Sequence, residues 1–258
     1  MAETLAEKNQ NYWNHAAESV FKDQWVHDLQ AQISDFLIAN IDWLSIPSDT
    51  QKTPSAKLMD YACGNGIVSR SLHRHFAQCL GIDLSEGMLT KYRATATDLG
   101  LSETQMMAVQ GNLLTSTLEP TIPALSREQL SNFDLVAICM ALHHIDDINM
   151  AIGKLAGRLR PGGVLLIIDW AKRDSVAPDG NESTSHHQHQ YHDPKNQHKP
   201  HPASHTVSHD SFTKEQIFGL FEGNGCGNTS LVLADKLSQV PGARTGQMQL
   251  FFARATRL

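Results

Sequence analysis

The sequence predicts an α/β fold, a doubly wound and mostly parallel seven-stranded sheet with an antiparallel C-terminal strand pair. Three observations lead to it. Strand-like and helix-like patterns alternate from residue 57 to 169, which implies a parallel sheet covered on both faces. Two of these strands end in an acid, Leu58-Met59-Asp60 and Gly81-Ile82-Asp83. The first breaks directly into the small-residue loop Tyr61-Ala62-Cys63-Gly64-Asn65-Gly66. Two further apolar stretches, 229–234 and 247–254, come last, with Pro241-Gly242 between them. A chain of 258 residues can hold one such domain with a full core and an insertion.

Taken in order, the elements justify this reading. Residues 4–45 are helical in pattern, with Trp25, Leu29, Ile33, Phe36 and Leu37 at three- and four-residue steps. Pro47 and Pro54 bracket a polar connection. Strand 57–62 leads into a helix from about 66 to 76, and strand 79–83 into one from about 86 to 98 with Ser85 as N-cap. Strand 105–109 is followed by a long connection holding Pro120 and Pro123. Strand 133–139 precedes a helix from about 147 to 159, with Asp146 placed to cap it. Pro161-Gly162-Gly163 turns the chain into strand 164–169. Residues 174–210 then break the pattern, with eight His, four Pro and no Leu, Ile, Met, Phe or Trp. Such a segment cannot build a core of its own, so it reads as an inserted loop. A helix from about 213 to 222 and the two last strands complete the domain. The single domain divides into N-terminal helices (1–50), a core (51–170), a His-rich insertion (171–212) and a C-terminal helix and strand pair (213–258).

Composition narrows the function. The formal net charge is −6 and Lys and Arg are scattered, which argues against a nucleic-acid-binding face. No run of 18 apolar residues exists, so no membrane-crossing helix is expected. The start, MAETLAEKNQNYW, lacks the apolar segment of a secretory signal. Cys63, Cys79, Cys139 and Cys226 are far apart and form no C-x-x-C pair. They read as reduced thiols of a cytoplasmic protein. The expected partner is a small molecule, with no nucleic acid and no membrane, and the chain is expected as a monomer or homodimer.

Parallel α/β sheets bind nucleotide-like ligands in the crevice beyond their strand ends. Gly64 and Gly66 let backbone approach such a ligand, and Asp83 can accept two hydrogen bonds from a ribose diol. A dinucleotide site would need G-x-G-x-x-G. The loop here is A-C-G-N-G, followed by Ile67-Val68-Ser69. It closely resembles the first motif of class I S-adenosylmethionine-dependent methyltransferases, commonly D-x-G-x-G-x-G, and departs from it at Ala62. Phe133-Asp134-Leu135-Val136 through His143-His144 is similar to the fourth motif of the small-molecule branch. Leu159-Arg160-Pro161-Gly162-Gly163-Val164-Leu165 is similar to the turn and strand that follow. The resemblance covers about residues 57–169.

The resemblance implies a cofactor, S-adenosyl-L-methionine, and residues to hold it. Ala62, Cys63 and Gly64 would supply backbone groups near its methionine end, with Asn65 and Gly66 completing the loop. Asp60 would act on the ammonium group through water or stabilise the loop. Asp83 would hold the ribose, and Leu84 and Met88 would wall the adenine, although Met88 also suits ordinary core. Asn112, followed by Leu113, stands where many relatives have Asp accepting from the adenine amine. Its side-chain carbonyl can still accept, or it forms an Asx turn. Cys139, at the end of the fourth strand, joins the cofactor set.

Methyl transfer is an in-line displacement that needs an aligned lone pair on oxygen, nitrogen or sulfur and exclusion of water. His143 and His144 fall beyond the fourth strand, where the family's acceptor meets the cofactor. Either can remove an acceptor proton or pack under the loop; His144 is the favoured base. The N-terminal segment, with Tyr12, Trp13 and Trp25, suggests a lid over the site or simple packing on the sheet. His201, His205 and His209 are spaced by four, but Pro202, Thr206 and Val207 oppose a helix there. No metal is expected. His205 and His209 also lie close enough to Phe212 to reach the acceptor from the far side. The expected function is methyl transfer to a small molecule. The alternative is a methyltransferase-like protein that binds cofactor or metabolite without transferring methyl. A nicotinamide-dependent oxidoreductase is disfavoured by the loop.

Overall fold

The computed structural model describes residues 3–46, 55–115, 121–173, 202–243 and 245–258. Its sheet has seven strands: β1 (Lys57–Tyr61), β2 (Gln78–Asp83), β3 (Met106–Gln110), β4 (Phe133–Cys139), β5 (Leu159–Ala171), β6 (Cys226–Gln239) and β7 (Gln247–Arg257). Their spatial order is β3-β2-β1-β4-β5-β7-β6. The first five strands pair in parallel. β7 pairs antiparallel with both β5 and β6. The chain steps outward from β1 to β3, then returns to β4 on the other side. The carboxyl ends of β1 and β4 are therefore the switch point, where an open α/β sheet has its crevice.

Strand residues alternate between the two faces. Leu58, Leu135, Ala137, Leu166 and Phe252 pack on one side with helices α2 (Gln24–Ala39), α3 (Ile67–Leu72) and α4 (Glu86–Asp98). Met59, Val136, Ile138, Leu165 and Phe251 pack on the other with α5 (Ile148–Ala156) and α6 (Lys214–Gly223). The central strands are apolar on both faces because both are covered. A first helix, α1 (Leu5–Ala16), lies apart from these layers and packs on α4. Thr4 and Glu7 close a reciprocal capping box at its start.

Some elements differ from expectation. The helical stretch at 4–45 is broken between α1 and α2 by a short 3-10 turn, Val20–Lys22. Asp23 follows in extended backbone (φ −74°, ψ 131°) and redirects the chain. The helix expected to 76 ends at Leu72 and runs on as a 3-10 turn, His73–His75. Ser85 caps α4 as expected, accepting from the Met88 N–H. The cap of α5 is Asp147, not Asp146: its carboxylate accepts from the Met150 N–H, while Asp146 accepts from the Ser208 hydroxyl. Pro47, Pro54, Pro120 and most of the His-rich insertion, His201 included, lie outside the described residues.

Candidate active site

A cavity of about 1400 Å³ opens over the ends of β1, β2 and β4. The loop after β1 forms its floor. Ala62 sits at φ 53°, Gly64 at φ 53° and Gly66 at φ 81°, so three nearby residues are left-handed. Gly66 precedes α3, and a Cβ there would lie 2.8 Å from the Tyr92 ring. Asp60 lies beneath the loop, fully buried, and accepts from both the N–H and the hydroxyl of Ser69 in the first turn of α3. Tyr92 in turn donates to the Ser69 hydroxyl. Burial pushes the Asp60 carboxyl up to about 7, against the pull of the Ser69 bonds.

Asp83 ends β2 at the next corner. One carboxylate oxygen accepts from the Gly64 N–H and the other from the Ser85 N–H, both at 2.9 Å. Burial raises its carboxyl to about 6. Each oxygen keeps a second acceptor position. Leu84 and Met88 line the cavity beside it, as do Ala62, Cys63, Gly64, Asn65, Asn112 and Cys139. Asn65 exchanges hydrogen bonds with Gln30 of α2. Burial holds the thiols of Cys63 and Cys139 well above the usual range. Asn112 makes an Asx turn, its oxygen accepting from the Leu114 N–H and the Tyr61 hydroxyl. Asp60, Gly66 and Leu113 do not line the cavity. Asp60 and Gly66 shape the loop, and Leu113 packs in the core.

The opposite wall carries both histidines. They follow β4 in a 3-10 turn, Leu142–His144, just after Met140 at φ 54°. His143 Nδ1 lies 2.7 Å from a carboxylate oxygen of Asp169, and the His143 backbone N–H donates to the other oxygen. Asp169 is fully buried on β5 and escaped the sequence reading. Its signal was the one that marked Asp60 and Asp83, an acid ending an apolar strand. His144 Nδ1 donates instead to the Thr206 carbonyl at 2.8 Å. A ring nitrogen facing a carbonyl or carboxylate carries the hydrogen, so each neutral ring has its hydrogen on Nδ1.

Two distant segments close this wall. The chain re-enters the fold through a 3-10 turn, Pro202–Thr206, and the N–H groups of Ser208 and His209 donate to the His143 carbonyl. Helix α1 crosses above. Asn9 Nδ2 faces the carbonyls of His144 and Thr206, and Trp13 stacks edge-on against the His144 ring. Gln10 donates to the Leu84 carbonyl, and Asn14 accepts from the Ser85 hydroxyl. None of these α1 contacts was foreseen from sequence. His205 and His209 do not line the cavity: His205 lies against Tyr12, and His209 faces the Asp146 carbonyl. Among the described residues, no group of three metal-ligating side chains gathers, and no helix is long and apolar enough to cross a membrane.

A family model described as a methyltransferase domain matches residues 25–231. The chain belongs to the methyltransferase-domain family. Among curated relatives it is 29% identical over 148 residues to an uncharacterized methyltransferase of Schizosaccharomyces pombe, covering 57% of this chain and 50% of the relative. It is 27% identical over 154 residues to a ubiquinone biosynthesis O-methyltransferase of Hahella chejuensis, covering 60% and 54%. A probable tocopherol O-methyltransferase of Oryza sativa subsp. japonica matches at 29% over 147 residues, covering 54% and 37%. The chain thus spans about half or less of the length of these relatives. Among solved structures, the magnesium protoporphyrin IX methyltransferase of Synechocystis PCC 6803 superposes at TM-score 0.64 with 15% identity, covering 100% and 99%. The geranyl diphosphate C-methyltransferase of Streptomyces coelicolor superposes at 0.63 with 15% identity, covering 100% of each. These superpositions share the seven-stranded fold described above.

The family's methyl donor, S-adenosylmethionine, fits the residues present. A Cβ on Gly64 would meet only Phe21, at 4.0 Å, so the loop leaves open a space that a side chain would fill. An acid, an apolar wall and a side-chain amide follow in order around the same cavity.

Proposed function

We propose that this chain transfers a methyl group from S-adenosylmethionine to a small-molecule acceptor with an oxygen, nitrogen or sulfur nucleophile. The observation that carries this reading is convergence. The loop after β1, Asp83, Asn112 and both histidines line one cavity at the switch point of the sheet. The bound donor supplies an electrophilic sulfonium methyl. The protein's part is to bind, orient and exclude water. Backbone groups of Ala62, Cys63 and Gly64 would take the methionine end, steadied by Asp60 from below. Asp83 would accept from the ribose, and Leu84 and Met88 would face the adenine. The oxygen of Asn112 already has two donors, so its NH₂ is the group left to offer, a donor suited to a ring nitrogen. Helix α1 would act as a lid, since Asn9, Gln10 and Trp13 line the cavity from above.

The acceptor side is wide and apolar. Trp25, Leu29, Ile33, Trp170 and Met248 line it. The cavity exceeds the ~300–1,000 Å³ of ordinary small-molecule sites, which supports room for a second, bulky molecule beside the donor. The relatives named for ubiquinone and tocopherol methylation support the same class. The net charge of −6 and the scattered Lys and Arg support a cytoplasmic monomer or homodimer that engages neither nucleic acid nor membrane. Calorimetric titration with S-adenosylhomocysteine and with NAD tests the donor. Binding of the dinucleotide alone would overturn it. Mass-read incorporation of labelled methyl across a panel of oxygen, nitrogen and sulfur nucleophiles identifies the acceptor class.

A further inference from the structure

The two adjacent histidines have different surroundings, and the difference assigns them different work. His144 is tied into the roof. Its Nδ1 donates to the Thr206 carbonyl, its backbone carbonyl faces Asn9, and its ring meets Trp13. His143 is tied to a buried acid. Asp169 holds its Nδ1 and its backbone N–H with separate carboxylate oxygens, and the Trp170 N–H adds a third donor to the same carboxylate. The His143 carbonyl is fixed from the other side by Ser208 and His209. The ring is therefore held in one orientation and one tautomer. Among the described residues the only buried side-chain nitrogen or oxygen without a partner is Arg254 Nε. Nε2 of His143 has no hydrogen-bonding partner there, so it reaches open space in the cavity that His143 lines.

We propose that His143 is the general base, that Asp169 is its positioning residue, and that the acceptor is a hydroxyl compound un-ionised at neutral pH, such as a phenol. This rests on the methyl-transfer reading above. An imidazole oriented by a buried carboxylate serves a nucleophile that must lose a proton. An amine with a free lone pair has no such need. As the oxygen–methyl bond forms, the methyl–sulfur bond breaks with its electrons going to sulfur. The hydroxyl proton passes to His143 Nε2. One positive charge leaves the sulfonium and one appears on the imidazolium, beside the Asp169 carboxylate. No other reactant is required. Beyond the histidines the cavity wall sets Ile145, Met150 and Trp170 beside the charged Asp146, Lys172 and Arg173, and the apolar members give an aromatic acceptor a surface to lie against.

The test uses the full chain, labelled S-adenosylmethionine, a panel of alkyl-substituted phenols, and thiophenol, which is ionised at pH 8 and needs no base. Asp169→Asn and His143→Gln should each lower phenol methylation by roughly 10²-fold or more. Thiophenol methylation should fall far less, and S-adenosylhomocysteine should bind both variants as it binds the parent. That binding also reports that each variant has folded. Imidazole ¹⁵N spectra of the parent should show His143 with hydrogen on Nδ1 and a bare Nε2, and the tautomer should be lost in Asp169→Asn. Equal losses with both acceptors, little loss with either, the opposite tautomer, or a parent chain that binds S-adenosylhomocysteine but methylates no phenol would each overturn the proposal and leave the methyl-transfer reading standing. A parent chain that does not bind S-adenosylhomocysteine would remove that reading, and the proposal with it.

Discussion

The two ends of the cavity are built differently. At the β1–β2 end, each acid is held by backbone close in the chain. Asp83 accepts from Ser85 and Gly64, two and nineteen residues away, and Asp60 accepts from Ser69, nine away. At the β4–β5 end the bonds are long in sequence. His144 reaches Thr206 over 62 residues, and Asn9 reaches Thr206 over 197. At the first end the carboxylate bonds are complete once the parallel strands pair, and α1 then adds the Gln10 and Asn14 ties to Leu84 and Ser85. The second exists only when α1 and the segment after the insertion have both docked. The carboxylates of the donor end and the His144 wall of the acceptor end therefore rest on different ties, the first mostly within the sheet and the second mostly through the roof laid over it.

The sharpest way to break this comparison is at Asp83. Asp83→Ala removes the acceptor for Gly64 and Ser85 and, in the proposed site, two bonds from the ribose. At about 1.5–3 kcal/mol for each bond to a charged group, S-adenosylhomocysteine affinity should fall by about 10²- to 10⁴-fold in calorimetry. His143 should keep its imidazole ¹⁵N signature, because its support comes from β5. Loss of that signature would mean that the two ends fold as one unit.

Asn9→Ala should do the reverse, with a smaller effect. Its amide joins α1 to the His144 and Thr206 carbonyls, and its oxygen takes the Trp13 indole N–H. At about 1 kcal/mol for each of these three bonds, turnover should drop by up to about 100-fold while S-adenosylhomocysteine affinity changes by less than about threefold. A parallel loss of affinity would show α1 to be part of the donor site rather than a roof over the acceptor.

The same division decides what could be read from sequence. Alternating strand and helix patterns, the acid-ended strands and the glycine loop are local, so the parallel core and the residues around Asp83 were legible. Ser85 as a cap follows from three consecutive turns of logic within one helix start. Asp169 carries the same local mark but was passed over, because its meaning lies in the His143 ring 26 residues earlier. Asn9, Gln10 and Asn14 carry no mark at all. They are polar residues on a helix of weak pattern, and only tertiary contact turns them into ties. Asp146 and Asp147 show the limit of capping rules: either fits the sequence, and the choice follows from Ser208, which takes Asp146 away.

Acidity offers a gentler probe of the β1–β2 end. Burial raises Asp60 to about 7 and Asp83 to about 6. A buried acid with a raised pKa stabilises the fold below its unfolded value near 3.8, and that contribution is lost as pH rises through the folded value. The ligand-free chain should therefore lose melting temperature between about pH 4 and pH 7 on account of these groups. Asp60→Asn, which keeps an acceptor for Ser69, should flatten that slope. Binding should run the other way, since the ligand's ammonium favours the ionised acids. S-adenosylhomocysteine affinity should rise several-fold from pH 5.5 to pH 8, and the rise should shrink in Asp60→Asn. A flat profile in the parent would show that neither acid titrates on binding.

The smallest expected effect compares two strained backbones. Ala62 directly follows β1 at φ 53° and Met140 directly follows the neighbouring β4 at φ 54°. A left-handed residue with a Cβ costs roughly 1–2 kcal/mol. Glycine removes that cost but adds about 0.5–1 kcal/mol of chain entropy to the unfolded state. Ala62 gives up only a methyl, so Ala62→Gly should stabilise the chain by up to about 1 kcal/mol. In a chain of this size that is a rise in melting temperature of about 1–4 °C. Met140 packs against the core on the α2 face, so Met140→Gly relieves the same strain while losing buried apolar surface. It should gain nothing, or lose stability. Differential scanning calorimetry of the pair reads the contrast directly. If both substitutions raise the melting temperature, Met140 contributes no packing. If Ala62→Gly lowers it, the loop after β1 draws more from its Cβ than it loses to the left-handed turn, and the strain at this end of the cavity is not what its dihedral angle implies.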